Sequence, residues 1–147
     1  MAALIAIVLV VATIVIHYEA LRLASALVSR SGWPLRLRVL SVALVCFAAH
    51  TVEIGVYAFA YFLIDRAGLG SLTGHLEGGG GDYLYFSATA FSTLGFGDIN
   101  PTGVTRLISA FEAVNGLFLI AWSTSFTYLA MERLWPLHSR ITDDRAG

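Results

Sequence analysis

The sequence predicts an all-α membrane protein with three membrane-spanning helices. Of its 147 residues, 57% are hydrophobic and 13% are charged, which is more apolar than a typical soluble domain. The apolar residues lie in three long runs, and each run is long enough to cross the hydrocarbon core of a bilayer as a helix. The net charge of −1 gives no reason to expect a nucleic-acid partner, and the single cysteine, Cys46, excludes an intrachain disulfide.

The first helix is predicted over residues 3–29 and is expected to stay in the membrane. No basic residue precedes its apolar run, and the run is longer than the hydrophobic part of a usual signal peptide. Four arginines lie at its end and in the loop that follows: Arg22, Arg30, Arg36 and Arg38. Because an excess of arginine marks the cytoplasmic side, residues 1–37 are predicted to form a membrane helix with an outside N-terminus, followed by a cytoplasmic loop. This first helix is expected to lie at the periphery, against the second helix.

The second helix is predicted over residues 38–64. A polar loop with four consecutive glycines follows and is expected to be flexible. Asp82 is then a candidate N-cap for a short helix over residues 83–92. Acidic residues outnumber basic ones on this side of the membrane, which is therefore predicted to be the outside.

The third membrane helix is predicted over residues 103–132. Trp135 and Pro136 are expected to end it at the membrane interface, before a short cytoplasmic tail at 136–147. Arginine is the basic residue at all nine basic positions, and together with the alanine, glycine and valine content this indicates a GC-rich bacterium. The predicted location is accordingly the bacterial inner (plasma) membrane, crossed several times, with the C-terminus in the cytoplasm.

Between the short helix and the third membrane helix lies the hexapeptide Thr-Leu-Gly-Phe-Gly-Asp, residues 93–98, with Pro101 three residues later. It resembles the selectivity filter of the potassium-channel superfamily, and the chain is similar to small bacterial potassium-channel proteins of the two-pore-domain-like ion-channel family. The resemblance implies a re-entrant pore helix and a homotetramer in the lipid bilayer, with no soluble partner domain evident. It implies a pore domain over 38–135, consisting of an outer helix 38–64, a pore helix 83–92, a filter 93–98 and an inner helix 103–132.

The chemistry of potassium binding explains the residue types of this hexapeptide. An ion that crosses a bilayer must exchange its water for equivalent ligands, and rings of backbone carbonyls supply them. Carbonyls that turn toward one axis need a backbone that alternates in handedness, and glycine adopts the left-handed conformation at little cost, as at Gly95 and Gly97. The expected potassium ligands are the carbonyls of Thr93, Leu94, Gly95 and Phe96 and the Thr93 hydroxyl. One chain supplies a quarter of each ring, so four chains are implied.

The support of this filter is expected to differ from the family pattern. In the family, the aspartate at the position of Asp98 braces the filter from behind. Phe96 lacks the hydroxyl with which a tyrosine would anchor the filter wall, and Thr89 stands where some relatives carry a carboxylate. The predicted brace therefore runs from Thr89, or from a water molecule, to Asp98.

The third helix carries a face of small and polar residues, which is predicted to point toward the pore, the pore helix or a neighbouring subunit. Gly116 corresponds to a hinge glycine of related channels, or it allows close helix packing. Glu112 is expected to hydrogen-bond to the pore helix or its neighbour, with attraction of cations as the second interpretation. The members of this face are Ser109, Glu112, Gly116, Ser123 and Thr127.

His17, His50 and Glu53 form a second group of candidate functional residues, because the helix pattern places them at similar depth in the membrane. The first interpretation is a structural cluster of hydrogen bonds that satisfies buried polar groups. A pH sensor is the second, since histidine titrates near neutral pH. A metal site is the third, because two histidines and a glutamate can bind zinc.

The predicted function is passive, potassium-selective conduction by a tetramer, with potassium ions bound in the filter. One alternative is a weakly selective cation channel. The other is a non-conducting membrane protein that uses the histidine–glutamate group as a metal or proton site. The sequence contains no nucleotide-binding loop, nucleophile elbow or H-E-x-x-H motif, so no enzyme activity is expected.

Overall fold

The computed structural model describes residues 1–30 and 32–134. This part of the chain contains three long helices, one short helix and two short strands. They are α1 (Ala2–Arg30), α2 (Leu35–Arg66), β1 (Leu72–Gly74), α3 (Gly80–Phe91), β2 (Ile99–Pro101) and α4 (Thr105–Leu134). α1, α2 and α4 are long and apolar enough to cross a membrane. The prediction of a mostly helical membrane protein with three candidate spans is confirmed, and the predicted cytoplasmic tail and the Trp135-Pro136 helix end lie outside the described residues.

The three long helices pack side by side, and α3 packs against α2 and α4. An apolar cluster near the α2–α3 loop is built around Tyr57, Tyr61, Phe86 and Ile108, so it joins α2, α3 and α4. A second cluster near the α1–α2 loop joins α1 to α2 and is extended by side chains of α4. The first helix is expected to pack at the periphery against the second, and the structure packs α1 along α4 as well as along α2.

A short antiparallel ribbon connects the loop before α3 to the chain after residue 98. Its strands β1 and β2 pair Leu72 with Pro101 and Gly74 with Ile99. Gly74 has a φ of +121°, and a Cβ at this position would overlap the Asp98 carbonyl. The first half of the loop that is predicted to be flexible is therefore hydrogen-bonded to the second strand.

The start of α3 differs from the predicted one. The helix begins at Gly80 after Gly79, which has no side chain to cap it. The carboxylate of Asp82 instead accepts hydrogen bonds from the backbone N–H groups of Glu77 and Gly78, at 3.1 and 2.8 Å. The N-cap prediction for Asp82 is therefore wrong, and this residue orders the glycine-rich loop in front of the helix.

Candidate functional site

The Thr93–Asp98 segment leaves helical geometry directly after α3. Alternate residues have positive φ angles: Thr93 at 59°, Gly95 at 50° and Gly97 at 82°. Glycine adopts this conformation readily, but a β-branched threonine does so at a cost of about 1–3 kcal/mol. Thr93 is thus a strained position that the sequence gives no reason to expect.

The end of α3 holds this strained backbone in place. The carbonyl of Thr89 accepts hydrogen bonds from the N–H groups of both Leu94 and Gly95, at 2.9 and 3.1 Å. The N–H of Thr93 donates to the carbonyl of Ala90 at 3.0 Å. Three successive N–H groups of the segment are therefore fixed to the last turn of the helix.

The other side of the Thr93–Asp98 segment has no cover within the described chain. Every residue of the segment is exposed, and the side chains of Leu94 and Phe96 are 58% and 65% exposed. In a bilayer, non-helical backbone is tolerated only where protein covers it or where it lines a water-filled cavity. If these residues lie at membrane depth, further protein or water must therefore lie beside them.

Asp98 is braced by Tyr85 of α3. The Tyr85 hydroxyl donates to one carboxylate oxygen at 2.9 Å, and the N–H of Ile99 donates to the other at 3.0 Å. The ring of Tyr85 also stacks on Phe96, with ring centroids 6.3 Å apart and planes 5° apart. The hydrogen bond to Asp98 raises the pKa of Tyr85 above its ordinary value.

The predicted brace from Thr89 is wrong, because its hydroxyl donates to the carbonyl of Phe86 within α3, at 2.9 Å. Tyr85 lies one turn before Thr89 on the same face of the helix. Its hydroxyl makes the bond to Asp98 that is predicted for Thr89. A search of that helix face for a donor to Asp98 would have found it in the sequence.

The polar face of α4 points into the chain. Glu112 is fully buried and interacts with the hydroxyls of Tyr61 on α2 and Ser87 on α3. The amide of Asn115 donates to the hydroxyl of Thr13 at 2.8 Å, and so ties α4 to α1. The middle of this face is therefore buried against α1, α2 and α3, whereas Ser109 is half-buried and lies in an open groove beside Thr93 and Gly95.

Gly116 lies against the last residue of α3. A Cβ at Gly116 would overlap the carbonyl of Phe91, so the two helices approach more closely here than any side chain would allow. Of the two interpretations of Gly116, close packing is the one that these contacts support. Farther along α4, Ser123 is buried, while Thr127 is half-buried in a groove between α2 and α4.

The structure brings His17, His50 and Glu53 together and adds Ser123 of α4. Each carboxylate oxygen of Glu53 faces the Nδ1 atom of one histidine, at 2.9 Å in both cases. The Ser123 hydroxyl faces the Nε2 atom of both, at 3.3 Å for His17 and 3.1 Å for His50. These four residues close a cycle of four hydrogen-bonding contacts, called here the His–Glu–Ser ring.

Aromatic side chains enclose the His–Glu–Ser ring. The two imidazoles stack with centroids 5.2 Å apart, Trp122 contacts His17 at 5.4 Å, and Phe91 contacts His50 at 5.6 Å. His17 and Glu53 are fully buried, whereas 17% of the His50 side chain is exposed. One ligand atom from each histidine and from Glu53 lies within 4.8 Å of the others, which is compact enough for a metal ion as well as for hydrogen bonds.

A family model described as "Ion channel" matches residues 49–133, which is more than half of the chain. The match covers α3, the Thr93–Asp98 segment, most of α4 and three members of the His–Glu–Ser ring. It leaves out α1 and therefore His17. No curated protein and no solved structure matches the chain.

Proposed function

This chain belongs to the ion-channel family, and from that premise we propose that it forms a potassium-selective pore, with ions bound by the carbonyls of residues 93–96 and the Thr93 hydroxyl. The observation that carries the proposal is the alternation of positive φ angles at Thr93, Gly95 and Gly97. A backbone that alternates in handedness can direct successive carbonyls toward one axis. α3 then serves as a re-entrant pore helix and α4 as the inner helix.

A homotetramer is proposed because one chain supplies one quarter of each carbonyl ring. The exposure of the Leu94 and Phe96 side chains supports this assembly. At membrane depth, neighbouring chains would cover these side chains and water would fill the pore that the carbonyls line. The rigid attachment of the segment to Thr89 and to Tyr85 would hold the carbonyls in place as ions pass. In the tetramer, Asp98, Tyr85 and the backbone carbonyl of Thr89 are the filter supports.

The proposed orientation follows from the charges of the loops. The arginines around the α1–α2 loop support a cytoplasmic loop, and the acids near α3 support a filter entrance on the outside. Asp65, Glu77 and Asp82 would then concentrate cations near the entrance. We place the N-terminus outside and the C-terminus in the cytoplasm of a bacterial cell.

Ion flux into liposomes that contain the purified protein tests the proposal. Wild-type protein should pass potassium and exclude sodium. Gly95→Ala and Gly97→Ala should each lower potassium flux by at least about tenfold, because a left-handed alanine costs about 1–2 kcal/mol in each of four chains. A Cβ at either glycine meets nothing within 4 Å, so the loss would come from the backbone and not from a clash inside the chain.

Gly55→Ala is the matched control. Gly55 lies in α2, has no positive φ, and has no neighbour within 4 Å of the point that an alanine Cβ would occupy, so this variant should conduct like the wild type. Normal potassium flux in the Gly95 and Gly97 variants would refute the filter assignment. Equal sodium and potassium flux in the wild type would favour the weakly selective cation channel, for which the absent hydroxyl on Phe96 is the supporting observation.

A non-conducting protein with a metal at His17, His50 and Glu53 is the second candidate, supported by the compact arrangement of their ligand atoms. Stoichiometric zinc in purified protein, without flux of either ion, would favour it.

A further inference from the structure

The protons of the His–Glu–Ser ring can be counted from its contacts. Each hydrogen bond needs one proton between its two heavy atoms. An ionised Glu53 brings none, so both histidines must carry a proton on Nδ1 to donate to its two oxygens. The Ser123 hydroxyl has a single proton and can donate it to only one of the two Nε2 atoms that face it.

The remaining contact is therefore short of a proton. If both histidines are neutral, one Nε2 atom faces the lone pairs of Ser123 without a hydrogen between them. A second proton on that histidine makes the contact a hydrogen bond, donated from Nε2 to the Ser123 oxygen. All four contacts are then satisfied, as buried polar groups require. The same added proton on Glu53 would also satisfy them, and a histidine is the expected carrier because imidazole is a stronger base than a carboxylate.

We propose that the His–Glu–Ser ring is a proton-binding site that holds one proton on a histidine in addition to those of neutral imidazoles. One histidine is then an imidazolium, the other is neutral and Glu53 is ionised, so the ring has no net charge. Without this proton the same buried residues carry a net charge of −1. A buried unbalanced charge is strongly unfavourable, whereas a paired and fully hydrogen-bonded one is tolerated.

The side chains that surround the ring add no charge to it when the tyrosine hydroxyl and the thiol among them are neutral. α3 contributes Phe91 and α4 contributes Trp122, neither of which titrates. α2 contributes the Tyr57 hydroxyl, one turn after Glu53, which binds the Asn115 amide. It also contributes the thiol of Cys46, which lies one turn before His50 in the same groove.

The proton reaches the ring through His50. This residue has the largest exposed fraction of the three titratable members, 17% of its side chain, while His17 and Glu53 have none. Its exposed edge lies in the groove between α2 and α4, beside Phe47 and Thr127. A proton can therefore enter the ring at His50 and pass to His17 through Glu53 or Ser123.

Nitrogen-15 NMR of histidine-labelled protein tests the proposal, since an imidazolium and a neutral imidazole give different signals. The chain has four histidines, and His75→Gln with His138→Gln leaves the two of the ring. At about pH 7.5, where a histidine in water is about 90% neutral, we expect one imidazolium and one neutral Nδ1–H imidazole in equal amounts.

Glu53→Gln provides a variant that keeps every hydrogen bond. The glutamine oxygen accepts from one Nδ1, its NH₂ group donates to the other, and Ser123 links one donating and one accepting Nε2. Four bonds are formed with two neutral histidines, so the protein should fold and the imidazolium signal should disappear. Glu19→Gln, which removes an exposed carboxylate paired with Arg22 on α1, should retain it.

Several results would overturn the proposal. They are two neutral Nδ1–H histidines in the wild type, an imidazolium that persists in Glu53→Gln, a protonated Glu53 carboxyl beside two neutral histidines, or one zinc ion per chain in purified protein. None of these measurements depends on conduction. A result that refutes the proton site would therefore not refute the proposed pore, and the absence of potassium flux would not refute the proton site.

Discussion

The His–Glu–Ser ring and the Thr93–Asp98 segment satisfy their polar groups in opposite ways. In the ring, the two imidazoles and the carboxylate find their partners within one chain, and His17 and Glu53 are fully buried. In the segment, non-helical backbone is fixed on one side by α3 and exposed on the other. The ring is complete in a single chain, whereas the segment needs neighbours.

This difference predicts that the ring governs the stability of the single chain and that the segment governs conduction by the assembled protein. Changes in the ring should alter the stability of the chain itself, whether or not it has assembled. Changes in the segment should leave the chain folded and alter what the assembled protein lets through. Gly116 lies between the two regions, against Phe91, whose ring also contacts His50. The following variants test how strict the separation is.

Glu53→Leu should have the largest effect, because it removes the acceptor that both histidines share. Breaking a buried, paired charge by removing one partner costs about 3–5 kcal/mol. The free energy of unfolding, measured with denaturant in detergent micelles, should fall by about that amount.

Glu19→Leu is the control for this measurement. Its carboxylate is exposed and paired with Arg22, and exposed pairs contribute at most about 1 kcal/mol. Equal stability of the Glu53 and Glu19 variants would show that the ring does not hold the chain together.

Gly116→Ala should have an intermediate effect on both regions. The added Cβ would meet the carbonyl and ring of Phe91, and overpacking of this kind costs about 1–3 kcal/mol. Stability in detergent and potassium flux in liposomes should both fall, while Gly55→Ala changes neither. If flux falls with stability unchanged, Gly116 acts as a hinge and not as a packing contact.

Tyr85→Phe should have the smallest effect on the folded chain. The variant keeps the stack on Phe96 and loses the hydrogen bond to Asp98. Stability in detergent should therefore be close to that of the wild type, while the ratio of potassium to sodium flux falls. An unchanged flux ratio would show that Asp98 needs no brace from α3.

The difference in flux ratio between the wild type and Tyr85→Phe should also depend on pH. Because the hydrogen bond raises the pKa of Tyr85, the hydroxyl keeps its proton, and its bond to Asp98, as the pH rises through the ordinary tyrosine value of about 10. The wild type should stay more selective than Tyr85→Phe from pH 7 to about pH 10. Convergence of the two flux ratios well below that pH would contradict the bond.

The sequence predicts well the features that follow from apolar run length and helical spacing. Three membrane helices and the short helix before the last of them need only those patterns. The meeting of His50 with Glu53 follows from their i and i+3 positions, and the addition of His17 follows from its depth. Spacing also places Ser123 on the polar face of α4, but its contact with the histidines depends on how α4 is rotated against α1 and α2, which a single sequence does not determine.

The short ribbon, the Thr93 conformation and the Tyr85 contact could not be predicted, because the conformational preferences of single residues oppose these features or are too weak to show them. A ribbon of three-residue strands is too short to show the alternation that marks a strand. Thr93 takes a conformation that β-branched residues avoid, and it does so because the turn of α3 before it holds the next two N–H groups. The Tyr85 brace differs from the prediction because the family pattern points to position 89.

The first helix, α1, is predicted to be peripheral, but polar contacts attach it to both α2 and α4. Thr13 is held by Asn115 and His17 by Glu53, so two polar anchors one turn apart fix both the height and the rotation of this helix. Such a helix can neither slide nor turn on its own. A tilt of α4 would therefore carry α1 with it, because a separate movement of either helix would break the bond between Thr13 and Asn115.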